Sequence, residues 1–152
     1  MKSKLKAINL TYVRDTSAIG NRTLGVVLST LLQAGLRPLL PFGDGHPYDL
    51  ALDQDGELRR VQCKTGRLVL GAVVFATTRY TDPKHRTYQD HEIDYFGVYC
   101  PGTDAVYLVP IKEVGPHTSA YLRVEPAKNN QAKGLRWAMD YEVMTKSEWC
   151  RC

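Results

Sequence analysis

Asp55-Gly56 is the feature that most constrains how this chain folds. An Asp-Gly pair between two alternating runs fits a two-residue hairpin loop, because both central positions of a type I′ turn need positive φ. Leu50-Ala51-Leu52-Asp53-Gln54 precedes the pair, and Glu57-Leu58-Arg59-Arg60-Val61-Gln62-Cys63-Lys64 follows it. With this loop, Gln54 faces Glu57. Counting outward, Leu50 faces Val61 and Asp49 faces Gln62. Directly opposed residues point to the same side of a sheet, and Lys64, two residues beyond Gln62, shares that side. The register therefore gathers a carboxylate, an amide and an ammonium on one face. Tyr48, Leu50, Leu52, Val61 and Cys63 take the other, an apolar set suited to a core. A loop one residue longer would change the register.

The chain has 152 residues, enough for one domain with a real core, so residues 1–152 are read as a single domain. Its 43% hydrophobic and 24% charged residues suit a globular protein rather than a disordered one. The net charge of +4 permits a polyanionic partner without demanding one. No apolar run approaches the roughly 20 residues that span a bilayer. Met1-Lys2-Ser3-Lys4-Leu5-Lys6 is charged, with neither a long apolar segment nor a small-residue cleavage site after it. The expected location is the cytoplasm, where thiols stay reduced. Cys63 and Cys100 sit in apolar strand patterns and are expected as small buried hydrophobes. Cys150-Arg151-Cys152 lacks a second thiol pair or a nearby histidine, which makes a weak zinc site.

Leu24, Val27, Leu28, Leu31 and Leu32 recur at helical spacing, with Thr16 or Ser17 as the expected N-cap and Gly35 as the stop. Residues 37–42 read as a short strand and 71–78 as another. Residues 82–86 read as a polar, basic loop. Residues 93–100 and 105–111 read as two strands separated by Pro101-Gly102, and 121–124 as a further short strand. A short helix is expected within 127–141. A helix followed by a mostly mixed or antiparallel sheet and a flanking helix is an α/β or α+β pattern.

Hydrolysis of a phosphodiester needs a hard cation on the non-bridging oxygens, an aligned water and neutralisation of growing negative charge. Asp49 offers a carboxylate and Gln62 an amide oxygen for such a cation, and Lys64 offers the positive charge. A polar strand face of this composition is also common as a plain solvated surface. These three residues alone leave both readings open.

The segment from Gly43 to Thr65, with Pro47-Tyr48-Asp49-Leu50 on one strand and Val61-Gln62-Cys63-Lys64-Thr65 on the next, resembles the PD-(D/E)xK nuclease superfamily. More narrowly, it resembles the small group I intron-associated, homing-endonuclease-type branch. The likeness continues through Leu40-Pro41-Phe42-Gly43-Asp44, Glu92-Ile93-Asp94-Tyr95-Phe96-Gly97-Val98-Tyr99-Cys100 and Val106-Tyr107-Leu108-Val109-Pro110. It ends with Leu122-Arg123-Val124, Lys128-Asn129-Asn130-Gln131 and Arg136-Trp137-Ala138. The resemblance implies a restriction-endonuclease-like α/β core: an N-terminal helix, then a mixed β-sheet with a flanking helix. It implies Mg²⁺, or another divalent cation such as Mn²⁺, as cofactor and double-stranded DNA as substrate. Asp49 matches the metal-binding aspartate, Gln62 the position that is Gln in this branch and acidic in the wider superfamily, and Lys64 the catalytic lysine. Cys63 matches the variable position whose backbone carbonyl contacts the metal. Asn21, in Ile19-Gly20-Asn21-Arg22-Thr23, stands where relatives carry an acid near the start of the first helix. It is counted with the catalytic set, although it is neutral.

A nuclease reading also makes the basic stretches candidate DNA contacts. They are Arg79, Lys84 and Arg86, interleaved with Tyr80 and Tyr88, and then Lys128, Gln131, Lys133 and Arg136. One compact site cuts one strand, so a double-strand cut implies a homodimer or homotetramer. Two alternatives stand beside the endonuclease. One is a catalytically inactive DNA-binding module on the same scaffold, which Asn21 favours. The other is a structure-selective nuclease of the Holliday-junction type.

Overall fold

Asp15 starts the first helix. In this computed structural model, which describes residues 15–81, 84–126 and 133–145, Asp15 is the extended N-cap and its Oδ1 accepts from the Ser17 N–H at 2.9 Å. Aspartate is a strong cap and Thr16 is already helical, so the cap falls one residue before Thr16 and two before Ser17. Helix α1 (Thr16–Gln33) ends at Ala34. Gly35 follows at φ 82, its N–H donating to Leu32 O, while the Leu36 N–H reaches Leu31 O. This is the Schellman arrangement, which only a residue comfortable at positive φ completes without strain. The stripe buried on α1 is Thr23, Val27 and Leu31, whereas Leu32 is exposed. Thr23 escapes a hydrophobic pattern because it is polar. Its hydroxyl meets the Thr65 hydroxyl at 2.6 Å, which satisfies it in the interior.

The hairpin forms as the Asp-Gly signal dictates. Asp55 and Gly56 sit at φ 54 and 88, and Asp53 Oδ1 accepts from the Gly56 N–H at 3.0 Å. Strands β2 (Leu50–Gln54) and β3 (Glu57–Thr65) pair from Gln54 opposite Glu57 to Leu50 opposite Val61. Strand β1 (Pro38–Leu39) adds to one side. Strand β8 (Tyr95–Cys100) pairs parallel to β3, and β9 (Ala105–Pro110) closes the far side. The sheet order is β1-β2-β3-β8-β9, mixed in sense.

Each face of this sheet has its own cover. On one, Val27 and Leu31 of α1 pack with Leu50, Leu52, Val61 and Val106. On the other lies a three-stranded sheet, β4 (Arg67–Val69), β5 (Ala72–Ala76) and β10 (Ser119–Arg123), ordered β10-β5-β4. Its Val73, Phe75 and Leu122 join Phe96, Val98 and Val109 in a second core. Period-two alternation along β8 explains the division: Phe96, Val98 and Cys100 face the small sheet, while Tyr95 and Tyr99 lean toward α1.

Several expectations need correction. Tyr48 packs with the Phe96 core, not with Leu50, because regular pairing begins only at Leu50 and alternation does not extend back past it. Residues 82–86 are not simply a loop. Strands β6 (Thr78–Thr81) and β7 (Lys84–Thr87) form an antiparallel hairpin there. The helix expected within 127–141 reduces, among described residues, to one 3-10 turn at Ala138–Asp140. Gly134 lies at φ 77, and Trp137 is extended and bridges to Arg123, which keeps a helix from running through 134–137 into that turn. A four-residue helix, α2 (Ile111–Val114), follows β9. No described helix is long and apolar enough to cross a membrane.

Gly66 carries the chain from the large sheet into the small one. A Cβ there would lie 2.8 Å from Val73 Cγ1 and 3.0 Å from Val98 Cγ1, both on buried β-branched side chains with little freedom to yield. Gly66→Ala is expected to cost about 1–3 kcal/mol through overpacking, read as a lower urea midpoint at unchanged slope.

Candidate active site

Just before β2 begins, the ladder gives way to a side chain. The Asp49 N–H donates to Val61 O at 3.0 Å, and Asp49 Oδ2 accepts from the Cys63 N–H at 2.8 Å. Gln62 Nε2 donates to the same Oδ2 at 2.6 Å and to Cys63 O at 3.2 Å. Both Gln62 contacts are acceptors, which fixes the amide with its nitrogen toward Asp49. Asp49 and Gln62 are thus hydrogen-bonded to each other, and the Cys63 backbone joins them through both its N–H and its carbonyl.

Lys64 is held apart from this pair. Its Nζ donates to Thr78 O at 2.9 Å and lies 4.9 Å from the centre of the Tyr88 ring. No ion pair links it to Asp49 among the described residues, although its charge acts on that carboxylate. Burial raises the Asp49 pKa from its ordinary aspartate value, and the Cys63 N–H and Lys64 only partly offset it. Burial likewise lowers the Lys64 pKa, with Asp49 opposing. The Cys63 thiol is pushed up, first by burial and then by Asp49, so it stays protonated and offers no thiolate at neutral pH.

A cleft of about 300 Å³ opens beside these groups, lined by Asn21 and Leu24 of α1 and by Asp49, Gln62, Cys63 and Thr65. Asn21 is exposed at its rim. The donor set is oxygen-rich and poor in charge. Among the described residues Asp49 is its one carboxylate, joined by the Gln62 amide and the Cys63 carbonyl. No group of three or more His, Cys, Asp or Glu side chains suited to a metal occurs among the described residues. Magnesium fits such a set, since it accepts one or two carboxylates and keeps several waters. Zinc does not, because it wants thiolate and imidazole.

The basic residues fall into different settings. Arg86 makes a double contact with Glu92, Nη1 at 2.8 Å and Nη2 at 2.6 Å, and Arg79 reaches the same carboxylate at 3.4 Å. Lys84 stands at the start of β7. Arg136 Nε donates to Glu113 O at 2.7 Å, and Lys133 is exposed. Lys128 and Gln131 lie outside the described residues. His46 is exposed in the loop before Asp49, with Nε2 3.2 Å from Phe42 O. Sequence reasoning gave no role to Glu92. Its only signal was one acid following a run of basic residues.

A family model described as PD-(D/E)XK endonuclease matches residues 14–144. Among solved structures, the fold is similar to that of a bacterial homing endonuclease, I-Ssp6803I. That match has a TM-score of 0.67 at 20% identity, covering 84% of this chain and 88% of that one. At that identity the likeness speaks for the fold alone. No curated protein matches the chain.

The raised Asp49 pKa has a direct consequence for stability. Favourable linkage from the protonated carboxyl is present below the ordinary aspartate range and is lost as pH rises through the raised pKa. Asp49→Asn keeps an acceptor for the Cys63 N–H and carries no charge to bury. Metal-free Asp49→Asn is expected to melt higher than the parent at pH 7, with the gain vanishing below about pH 4, where the parent carboxyl is protonated in both states. Calorimetry across that range measures it.

Proposed function

The chain belongs to the PD-(D/E)XK endonuclease family, and on that premise we propose that it is a divalent-metal-dependent endonuclease of the homing type acting on double-stranded DNA. The observation that carries this reading is the junction of Asp49, Gln62 and the Cys63 backbone at the lip of an open cleft, with the half-buried Lys64 ammonium on the next residue. In this reading residues 1–152 act as one nuclease domain. Two copies, or four, supply the two cuts of a double-strand break.

Asp49 and Cys63 through its carbonyl would hold Mg²⁺ or Mn²⁺, joined by the Gln62 amide oxygen once the amide turns over from the orientation in which its nitrogen donates to both. Such an ion supplies charge neutralisation at the phosphate and a more acidic water. Asp49 positions that water's site, and its burial strengthens whatever it binds. Lys64 faces the scissile phosphate and stabilises the negative charge that grows as water adds to phosphorus and the ester bond breaks. Its lowered pKa makes it readier than an ordinary lysine to exchange a proton with the attacking water. Asn21 at the rim orients a water or the phosphate rather than adding charge. Arg79, Lys84, Arg86, Lys133 and Arg136, with Lys128 and Gln131, would follow the DNA backbone and base edges.

A second reading is an inactive DNA-binding module. The observation favouring it is the charge count at the cleft: Asn21 and Gln62 are neutral, and Asp49 is the one acid lining it among the described residues. Supercoiled plasmid incubated with Mg²⁺ decides between the two. The parent is expected to nick or linearise it, and Lys64→Ala and Asp49→Ala to do so about a hundredfold or more slowly. Cleavage by both variants at the parental rate would remove these residues from the site. Steeply salt-dependent binding without any nicking, on linear or four-way-junction DNA, would favour the binding module. Asn21→Glu adds the missing acid, so the Mg²⁺ concentration for half-maximal cleavage is expected to fall by about tenfold.

A further inference from the structure

Glu92 is a buried carboxylate with no part in the chemistry above. It is 8% exposed, and its oxygens take Arg86 Nη1 and Nη2, Arg79 Nη1 and, at 3.1 Å, the Gln89 N–H. These contacts hold its pKa down to about 2, chiefly through Arg86. The position of its donors is informative. Arg79 follows Thr78, whose carbonyl receives Lys64 Nζ. Gln89 follows Tyr88, whose ring lies beneath the same ammonium. Arg79 and Arg86 face each other across the β6–β7 hairpin, next to the pair Thr78 and Thr87. Glu92 therefore grips both strands of the hairpin one residue from each group that touches Lys64.

The grip is anchored at its other end to the strand that carries Lys64. Arg60 of β3 donates to the carbonyls of Asp90 and His91 and pairs with Asp94 at 3.0 Å. The path runs from Lys64 to Thr78, through Arg79 to Glu92, and back through Asp90 and His91 to Arg60 on the same strand. Lysine has a flexible four-carbon stem and sets its ammonium poorly unaided. A closed path of this kind restricts where that ammonium sits.

We propose that Glu92 is a positioning residue for Lys64: by locking Arg79, Arg86 and Gln89 it fixes the Thr78 carbonyl and the Tyr88 ring that place the Lys64 ammonium. What Lys64 then does rests on the nuclease reading; how it is held does not. A structural staple would show itself in stability alone. A positioning residue changes the surroundings of Lys64 in protein that is still folded.

Two readouts on the folded protein separate these cases. A ring current from Tyr88 shifts the Lys64 ε-methylene signal upfield, and its assignment comes from Lys64→Arg. The shifted signal is expected in the parent, absent in Tyr88→Leu, collapsed toward the ordinary lysine position in Glu92→Gln and partly restored in Glu92→Asp. Arg86→Gln, which removes two of the Glu92 contacts, provides the same comparison if Glu92→Gln does not fold. In parallel, single-turnover cleavage by Glu92→Gln, measured with protein in excess so that all the DNA is bound, is expected to slow by roughly a hundredfold. An unmoved Lys64 signal in folded Glu92→Gln would overturn the proposal. So would cleavage and binding that decline together with the folded fraction. A parent that cuts no DNA would sink the nuclease reading, and the Lys64 signal would still decide the positioning role.

Discussion

The hydrogen bond from the Cys63 N–H to Asp49 Oδ2 is the interaction on which the candidate site depends. It replaces a ladder bond with a side-chain bond where β2 begins, so the carboxylate is placed by the sheet and not by a loop. An acceptor of backbone N–H groups is anchored to the most rigid part of the fold. The parallel pairing of β3 with β8 completes the support, since it sets β3 between β2 and β8 and removes it from any edge.

Burial has opposite effects on the two charged groups beside that bond. It makes Asp49 harder to ionise and Lys64 easier to neutralise. Each opposes the other's shift, so they behave as a weakly compensated pair without direct contact. A site of this kind is less stable empty than with a cation to balance it, which is the usual relation between function and stability at preorganised polar clusters. The contrast with Glu92 is instructive. Two guanidiniums and a backbone N–H satisfy that carboxylate, and its pKa is depressed, not raised.

The parts of this architecture that are local in sequence were legible in it. Asp55-Gly56 fixes its turn by backbone conformation, and the turn fixes the register as far as Leu50 and Val61. Gly35 ends α1 for the same conformational reason. The long-range parts were not legible. Nothing in a period-two pattern says that pairing stops at Leu50, so Tyr48 was assigned to the wrong core. The polar run through Lys84 and Arg86 looked like solvent-exposed loop because the acid that draws Arg79 and Arg86 together lies beyond the hairpin. Thr23 was missed because its partner, Thr65, is forty-two residues away. At the candidate site itself, residue types were readable, whereas the separation of Lys64 from Asp49 needed the β6–β7 hairpin, a contact between distant segments.

The acceptor that receives the Lys64 ammonium is a main-chain carbonyl. A backbone oxygen persists whatever amino acid occupies position 78, so mutational drift there leaves the anchor intact. The anchoring task falls on the main chain of Thr78 and on the two guanidiniums that clasp Glu92, not on the side chain at 78. Such a division lets one scaffold acquire new binding preferences through point changes on an arm, without each change having to rebuild the centre it serves.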